Sequence, residues 1–362
     1  MSRPSFRRVV VALAAVPLAV GLAACSSSSA STGSGSSSAA QGPAAELRLG
    51  YFANVTHAPA LIGVQQHFFA DELGKTKLTT QVFNAGPDEV EALFAGGLDA
   101  AYIGPSPTIN AYGQSDGDAI RIVAGATSGG AELVVKDGIT SAADLKGKTV
   151  ASPQLGNTQD VALRTWLTSK GLKNSVTGGG DVTITPTANA DIPNLFQSGK
   201  LDGAWVPEPV ASTLVLKNGG HVLVDEKDLW PGGKFVTTQL IVRREFLQQH
   251  PDTVAALLRG HVKAVQYAQQ DAAAAKQAVS AGLQAAGGKA LSPDVLDRAW
   301  SEQTSTWDPI ATALSQSNAN GAKAGTQKTK VDLKGIYDLR PLNTILTAQH
   351  LTAVSANGLG EQ

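Results

Sequence analysis

The sequence predicts an α/β protein of two similar lobes, each built on a doubly wound mixed sheet, facing one another across a cleft. Three observations carry this. Strands alternate with helices at short spacing. One stretch occurs twice, about a hundred residues apart. Two extended segments, near 126–135 and 236–241, link the halves as crossovers and form a natural hinge.

The repeated stretch is Gly97-Leu98-Asp99-Ala100-Ala101-Tyr102-Ile103-Gly104-Pro105-Ser106-Pro107 and, later, Gly199-Lys200-Leu201-Asp202-Gly203-Ala204-Trp205-Val206-Pro207-Glu208-Pro209. Each copy reads as a turn into a short buried strand that ends abruptly, with a proline suited to the first turn of a following helix. Upstream, Leu47–Tyr51 running into Asn54-Val55-Thr56-His57 corresponds to Thr149–Ser152 running into Gly156-Asn157-Thr158-Gln159. A period this long excludes a solenoid and suits two lobes. The boundaries expected are 46–133 plus 238–362 for lobe I and 134–237 for lobe II.

The chain begins with Arg3, Arg7 and Arg8, an apolar run Val9–Leu22 and Leu22-Ala23-Ala24-Cys25. This is the pattern of a lipoprotein signal peptide over 1–24. Cys25, the chain's one cysteine, is then the lipidated first residue of the mature protein. Residues 25–45 are mostly Ser, Gly and Ala, which bury no core and read as a flexible tether. In lobe I, strands are expected at Leu47–Phe52, Lys77–Phe83, Ala100–Ile103 and Ile120–Ala124. One helix runs through to Phe69, a second is capped by Asp88 with Glu91 at its third position, and a third opens at Ser106-Pro107. Lobe II opens with a capped turn at Ser141–Gly147 and repeats the order of lobe I. Helical patterning then covers Ala255–Gln269, Ala272–Ala286, Pro293–Ser301 and Ser305–Leu314, and these C-terminal helices are expected to pack on lobe I.

Composition narrows the function. Of 362 residues, 29 are basic and 30 acidic, with no basic run among aromatics, which argues against nucleic acid as a partner. The six histidines lie scattered and give no support to a metal site. No cofactor motif is present. There is no Gly-x-Ser-x-Gly, no phosphate-binding loop and no His-Glu-x-x-His. After Cys25 no thiol remains for chemistry or disulfides.

Ligands of open α/β sheets sit beyond the carboxyl ends of the strands. Four segments converge there: Asn54–His57, Gly104-Pro105-Ser106, Ser128-Gly129-Gly130 and Gly156-Asn157-Thr158-Gln159. Free N–H groups at helix starts accept an anion without Arg or Lys. The competing role for Asn54, Thr56, Ser106, Asn157 and Thr158 is to cap their own helices. His57 is either an oxyanion donor or a solvated loop residue. Tyr102 and Trp205 are either core or cleft walls. Trp230, in a Pro/Gly-rich loop, is a candidate to cover the ligand, and Glu208 is either an ammonium partner or a surface carboxylate.

Taken together, the lipobox, the tether, Leu47 to Ala60, Ala101 to Pro107, Pro153 to Asp160 and Gly203 to Pro209 resemble the aliphatic sulfonate/nitrate/taurine solute-binding proteins of ABC importers. The resemblance covers about residues 46–310. It implies a type II periplasmic-binding-protein fold that closes on its ligand. It also implies a small organic anion as ligand and permease and ATPase subunits as partners. A monomer lipid-anchored outside the cytoplasmic membrane is expected. Around the ligand it implies Asn54, Thr56, His57, Gly104 to Ser106, Gly129, Gly156 to Thr158, Trp205 and Glu208. An organosulfonate or taurine suits an aromatic-lined cleft; nitrate, bicarbonate or a pyrimidine precursor is the alternative. Enzymes similar to this fold use cysteines that the mature chain lacks.

Overall fold

A computed structural model describes residues 40–288 and 290–361. Cys25, the signal peptide and most of the tether lie outside the described residues. The chain is packed from Gln41 on, earlier than its composition suggests: the Gln41 N–H donates to Gln249 O and the Ala44 N–H to Thr253 Oγ1 at 2.8 Å.

The first half runs β1 (Glu46–Phe52), α1 (Ala58–Gln65), α2 (Phe68–Leu73), β2 (Lys77–Phe83), α3 (Gly86–Phe94), β3 (Ala100–Ile103), α4 (Pro105–Gln114) and β4 (Ile120–Gly129). The helix expected to reach Phe69 breaks at His67, whose φ of 59° lies in the left-handed region. Helix α3 starts two residues before Asp88, because Pro87 fits a first turn. Asp88 is therefore not its cap; its Oδ1 instead accepts from Gln154 Nε2 at 2.7 Å, across to the other lobe.

The second sheet holds β5 (Ala131–Val135), β6 (Thr149–Ser152), β7 (Thr183–Pro186), β8 (Gly203–Pro207) and β9 (His221–Asp225). Its helices are α5 (Thr158–Ser169), α6 (Ile192–Gln197) and α7 (Val210–Lys217). The expected capped turn is present, and Ser141 and Asp144 close it as a capping box. The chain then returns through β10 (Val236–Arg243), α8 (Arg244–Gln249), α9 (Pro251–Gln270), α10 (Ala272–Ala285), α11 (Pro293–Ser301), β11 (Gln303–Ser305), α12 (Ala311–Ala324) and α13 (Arg340–Ala348). The helix expected at Ser305–Leu314 starts later, at Ala311. Ser305 ends an edge strand, and Pro309 and the left-handed Ile310 interrupt the chain before it.

The sheet orders are β11-β4-β10-β3-β1-β2 and β7-β6-β8-β5-β9. Apart from the added β11, the two match strand for strand. In each, the strand next to one edge pairs in parallel with two neighbours (β1 with β2 and β3, β6 with β7 and β8), and β3 or β8 is then flanked by an antiparallel strand. The duplicated Leu-Asp has one job in both copies. Asp99 Oδ2 accepts from Arg48 N–H at 3.0 Å, and Asp202 Oδ2 from Thr149 N–H at 2.8 Å. Each pins the start of its repeat strand to the neighbouring one.

Period-two alternation explains the sandwich of the second sheet. Leu133, Val135, Val150 and Trp205 pack on one face, and Val134, Ala151, Ala204 and Val206 on the other. Helices must therefore cover both sides. The larger core gathers β1, β3, β4 and β10 with α9, α10 and α13, so the C-terminal helices do pack on the six-stranded sheet. Helices α11 and α12 also touch α7 and α5 of the other lobe.

Candidate binding site

The cleft is assembled from three elements that the sequence placed at strand ends, plus a fourth that it did not. The loop after β1 brings Asn54, Thr56 and His57, and the start of α4 brings Gly104. The start of α5 brings Asn157, Thr158 and Gln159, and β10 adds Thr237 and Thr238. Phe52 and Pro207 complete the lining. The free volume is about 10 Å³, room for roughly one water. The lobes therefore stand closed on one another. At Gly104 a Cβ would come within 2.3 Å of Thr158 Oγ1, so only glycine permits this approach.

The capping role does not account for these polar residues. No side-chain cap bond forms from Asn54, nor from Asn157 at the start of α5. Thr158 Oγ1 and Thr238 Oγ1, one from each lobe, are buried without a hydrogen-bond partner among the described residues. A buried hydroxyl left unpaired costs about 1–3 kcal/mol, and a ligand oxygen would remove that cost.

His57 is buried rather than solvated, and stacks on Phe52 at 4.4 Å. Its Nδ1 accepts from Phe52 N–H at 3.2 Å, which leaves the ring proton on Nε2. Burial pulls its pKa down to about 3, so the ring stays neutral. Among the described residues no Lys, Arg, Asp or Glu lines this cavity. An anion held here would rest on amide, hydroxyl and imidazole donors and on helix-start N–H groups.

The loop that carries Asn157 is anchored by Asp160. Its Oδ1 accepts from Ser152 Oγ at 2.7 Å, and its Oδ2 from Gly156 N–H at 3.0 Å and Arg164 Nε at 2.9 Å. Asp160 and Arg164 are both buried. Gly156 thus serves the loop, and it lines a different groove.

Several expected ligand residues are occupied elsewhere. Trp205 is core, fully buried against Trp166, with its Nε1–H donating to Glu226 Oε2 at 2.8 Å. Tyr102 is core as well, its hydroxyl 2.8 Å from His261 Nδ1. Glu208 is neither a surface carboxylate nor open to a ligand. It is fully buried, accepting from Ser212 N–H at 3.0 Å and from Arg298 Nη1 at 2.9 Å; burial still pushes its pKa up to about 7. Pro105 is the buried first residue of α4. Ser128 lies in the β4 ladder, and Gly129 O accepts from Thr237 Oγ1 at 2.5 Å, tying one crossover to the other.

Ser106 and Trp230 line a second cavity of about 180 Å³, which shares Thr158 with the first. Trp166, Glu226 and residues of α12 complete it. Sequence reasoning missed Thr237, Thr238 and Glu226. The β-branched polar pair at the second crossover was the available signal for the first two.

Arg298 of α11 is the other residue not anticipated. Its Nη2 donates to both oxygens of Glu132 at 2.8 Å and its Nη1 to Glu208 and to Ser212 Oγ at 2.9 Å. Glu132, Asp225 and Glu302 approach within 4.8 Å in a set that could hold a cation, but each is already paired with Arg298 or Lys227.

Two duplicated sheets closing over a donor-lined cleft are the architecture of periplasmic binding proteins. The chain belongs to the NMT1-like family, whose model matches residues 40–282. It is 29% identical over 211 residues to the taurine-binding periplasmic protein of Escherichia coli, an alignment covering 58% of this chain and 62% of that protein. The chain thus spans about three fifths of that relative's length. Its fold is similar to the alkanesulfonate-binding protein SsuA of Xanthomonas axonopodis pv. citri (TM-score 0.65, 22% identity, 80% of this chain and 95% of that one). It is also similar to the periplasmic nitrate-binding protein NrtA of Synechocystis (TM-score 0.68, 18% identity, 84% and 89%). Among the described residues no helix is long and apolar enough to cross a membrane.

Proposed function

We propose that this protein is the extracytoplasmic solute-binding component of an ABC importer, taking an aliphatic sulfonate or taurine between its lobes and delivering it to the permease. It performs no chemistry on the solute. It acts as a monomer, held at the outer face of the membrane by lipid on Cys25. Asn54, Thr56, His57, Asn157, Thr158, Gln159 and Thr238 hold the anionic head. The observation that carries this reading is the pair of buried, unpartnered hydroxyls, Thr158 and Thr238, facing one cavity from opposite lobes. A ligand bonding both would favour the closed state over the open one, which is the condition for shifting a hinge equilibrium. The cation-free lining suits a strong-acid anion that needs no proton, and the taurine-binding relative supports a sulfonate.

The smallness of the cavity favours a second reading, nitrate or bicarbonate. Titration calorimetry with alkanesulfonates, taurine, nitrate and bicarbonate separates the two. We expect sulfonates to bind and Thr158→Val to weaken them by roughly tenfold without lowering the melting temperature of the free protein. Binding of nitrate or bicarbonate alone would replace the sulfonate assignment, and a melting loss matching the affinity loss would return Thr158 to a structural role.

A further inference from the structure

The second cavity shares Thr158 as a wall with the first and has a different chemistry. Its walls include the indoles of Trp166 and Trp230, and among the described residues its only ionisable lining group is Glu226. Glu226 is 1% exposed and, among the described residues, forms no ion pair. The neighbouring Lys227 is turned away, bound to Asp225 and Glu302. Buried carboxylates ordinarily have a cationic partner, and among the described residues this one accepts instead from the Trp205 indole N–H.

Both indoles are fixed before any ligand arrives. Trp230 stacks on Phe235 with centroids 5.6 Å apart and planes 11° from parallel. Trp166 meets Trp205 edge-on at 6.1 Å, and Trp205 is in turn tied to Glu226. Rigid indoles beside an acid give an ammonium group both quadrupole attraction and a counter-charge, as the Lys170 ammonium 5.9 Å from the Trp166 ring already illustrates, and little side-chain freedom is lost on binding. Helix α12 closes the far side with Gln316 and Asn320, whose amides offer further acceptors.

We infer that Glu226, Trp166 and Trp230 form a subsite for a cationic amine on the tail of the solute. The preferred ligands are then zwitterions, an anionic head in the cleft and an ammonium in the second cavity. This rests on the proposed anion-binding role of the first cavity. It also moves the ammonium contact from Glu208, which Arg298 occupies, to Glu226.

Titration calorimetry on the purified protein tests it, using ω-aminoalkanesulfonates and plain alkanesulfonates of matched chain length. The best amino compound should bind on the order of tenfold tighter than its plain counterpart. Glu226→Gln should bring that ratio towards one, and Trp230→Leu should lower it independently should the first variant fold poorly. Equal affinities in the unaltered protein, or a preference for apolar or aryl tails, overturn the subsite and leave the sulfonate role standing. Failure of both series to bind overturns the sulfonate role and the subsite with it.

Discussion

At the scale of single residues, hydrogen-bond accounting separates the site from the scaffold. Asn157 and Asp160 lie three positions apart, yet one has no cap to make and the other satisfies three donors at once. Replacing Asp160 by Ala would leave the buried Arg164 guanidinium without its counter-charge. Removing one partner of such a pair costs about 3–5 kcal/mol. Urea denaturation should show a loss of that order for Asp160→Ala, and a change within experimental error would mean the loop is held by other contacts. His261 makes a different prediction. Burial pulls its pKa from 6.5 to about 4, so as pH falls the unfolded chain takes up a proton before the native fold does. Stability is lost from about 6.5 downward, by roughly 2 kcal/mol at pH 5. Glu208 and Glu226, both pushed by burial up to about 7, act in the opposite sense, since the native state is protonated first. The melting temperature should therefore be compared with that of His261→Gln between pH 7 and 5. The unaltered protein should lose ground relative to the variant, and parallel curves would show that His261 titrates normally.

At the scale of elements, the starts of α4 and α5 meet across the cleft. Gly104 has an ordinary negative φ of −74°, so its value is steric: it lets Thr158 approach. Gly104→Ala suits the local backbone but blocks this approach. We expect an affinity loss of about tenfold or more, since a displacement near 1 Å is enough to cost that, with the melting temperature of the free protein nearly unchanged. Calorimetry and a thermal melt on the same sample give both numbers, and unaltered affinity would mean the bound state is more open than the structure described above. Gly130, at the first crossover, is constrained by its own backbone: its φ of +74° favours glycine, and a Cβ there would press on Thr56 and Gln303 at 3.0 Å. These elements were legible in outline. The helix starts and strand ends of both repeats fall where glycine, proline and the Leu-Asp pair mark them. The late start of α12 and the edge strand β11 were not, because β11 exists only through its pairing with β4.

At the scale of the whole molecule, α11 belongs to the core of the six-stranded sheet through Leu296 and Ala299, while its Arg298 binds two buried carboxylates of the other. It therefore couples the C-terminal helices to lobe II beside the crossover at Gly130. Arg298→Met would strand Glu132 and Glu208 without a cation. We expect a stability loss of about 3–5 kcal/mol, partly recovered by adding Glu132→Gln and Glu208→Gln. Absence of recovery in the triple variant would mean that packing by the arginine stem, not charge pairing, was lost.

The sequence by itself determined the duplicated lobe, the sheet-forming segments and the helix starts that frame the cleft. Those features are local: a turn, a period of two, a proline or a small polar residue acts on its immediate neighbours. Only the tertiary structure decided which polar side chains remain free for a ligand. Glu208 and Trp205 sit in the same repeated motif as the site, but Arg298, 90 positions from Glu208, and Glu226, 21 positions from Trp205, consume their polar groups. Thr158 and Thr238 stay unpaired because, among the described residues, no such partner reaches them. Hydrogen-bond partners are brought together by the fold across long stretches of chain, so satisfaction, and with it the identity of the site, is a property of the folded molecule.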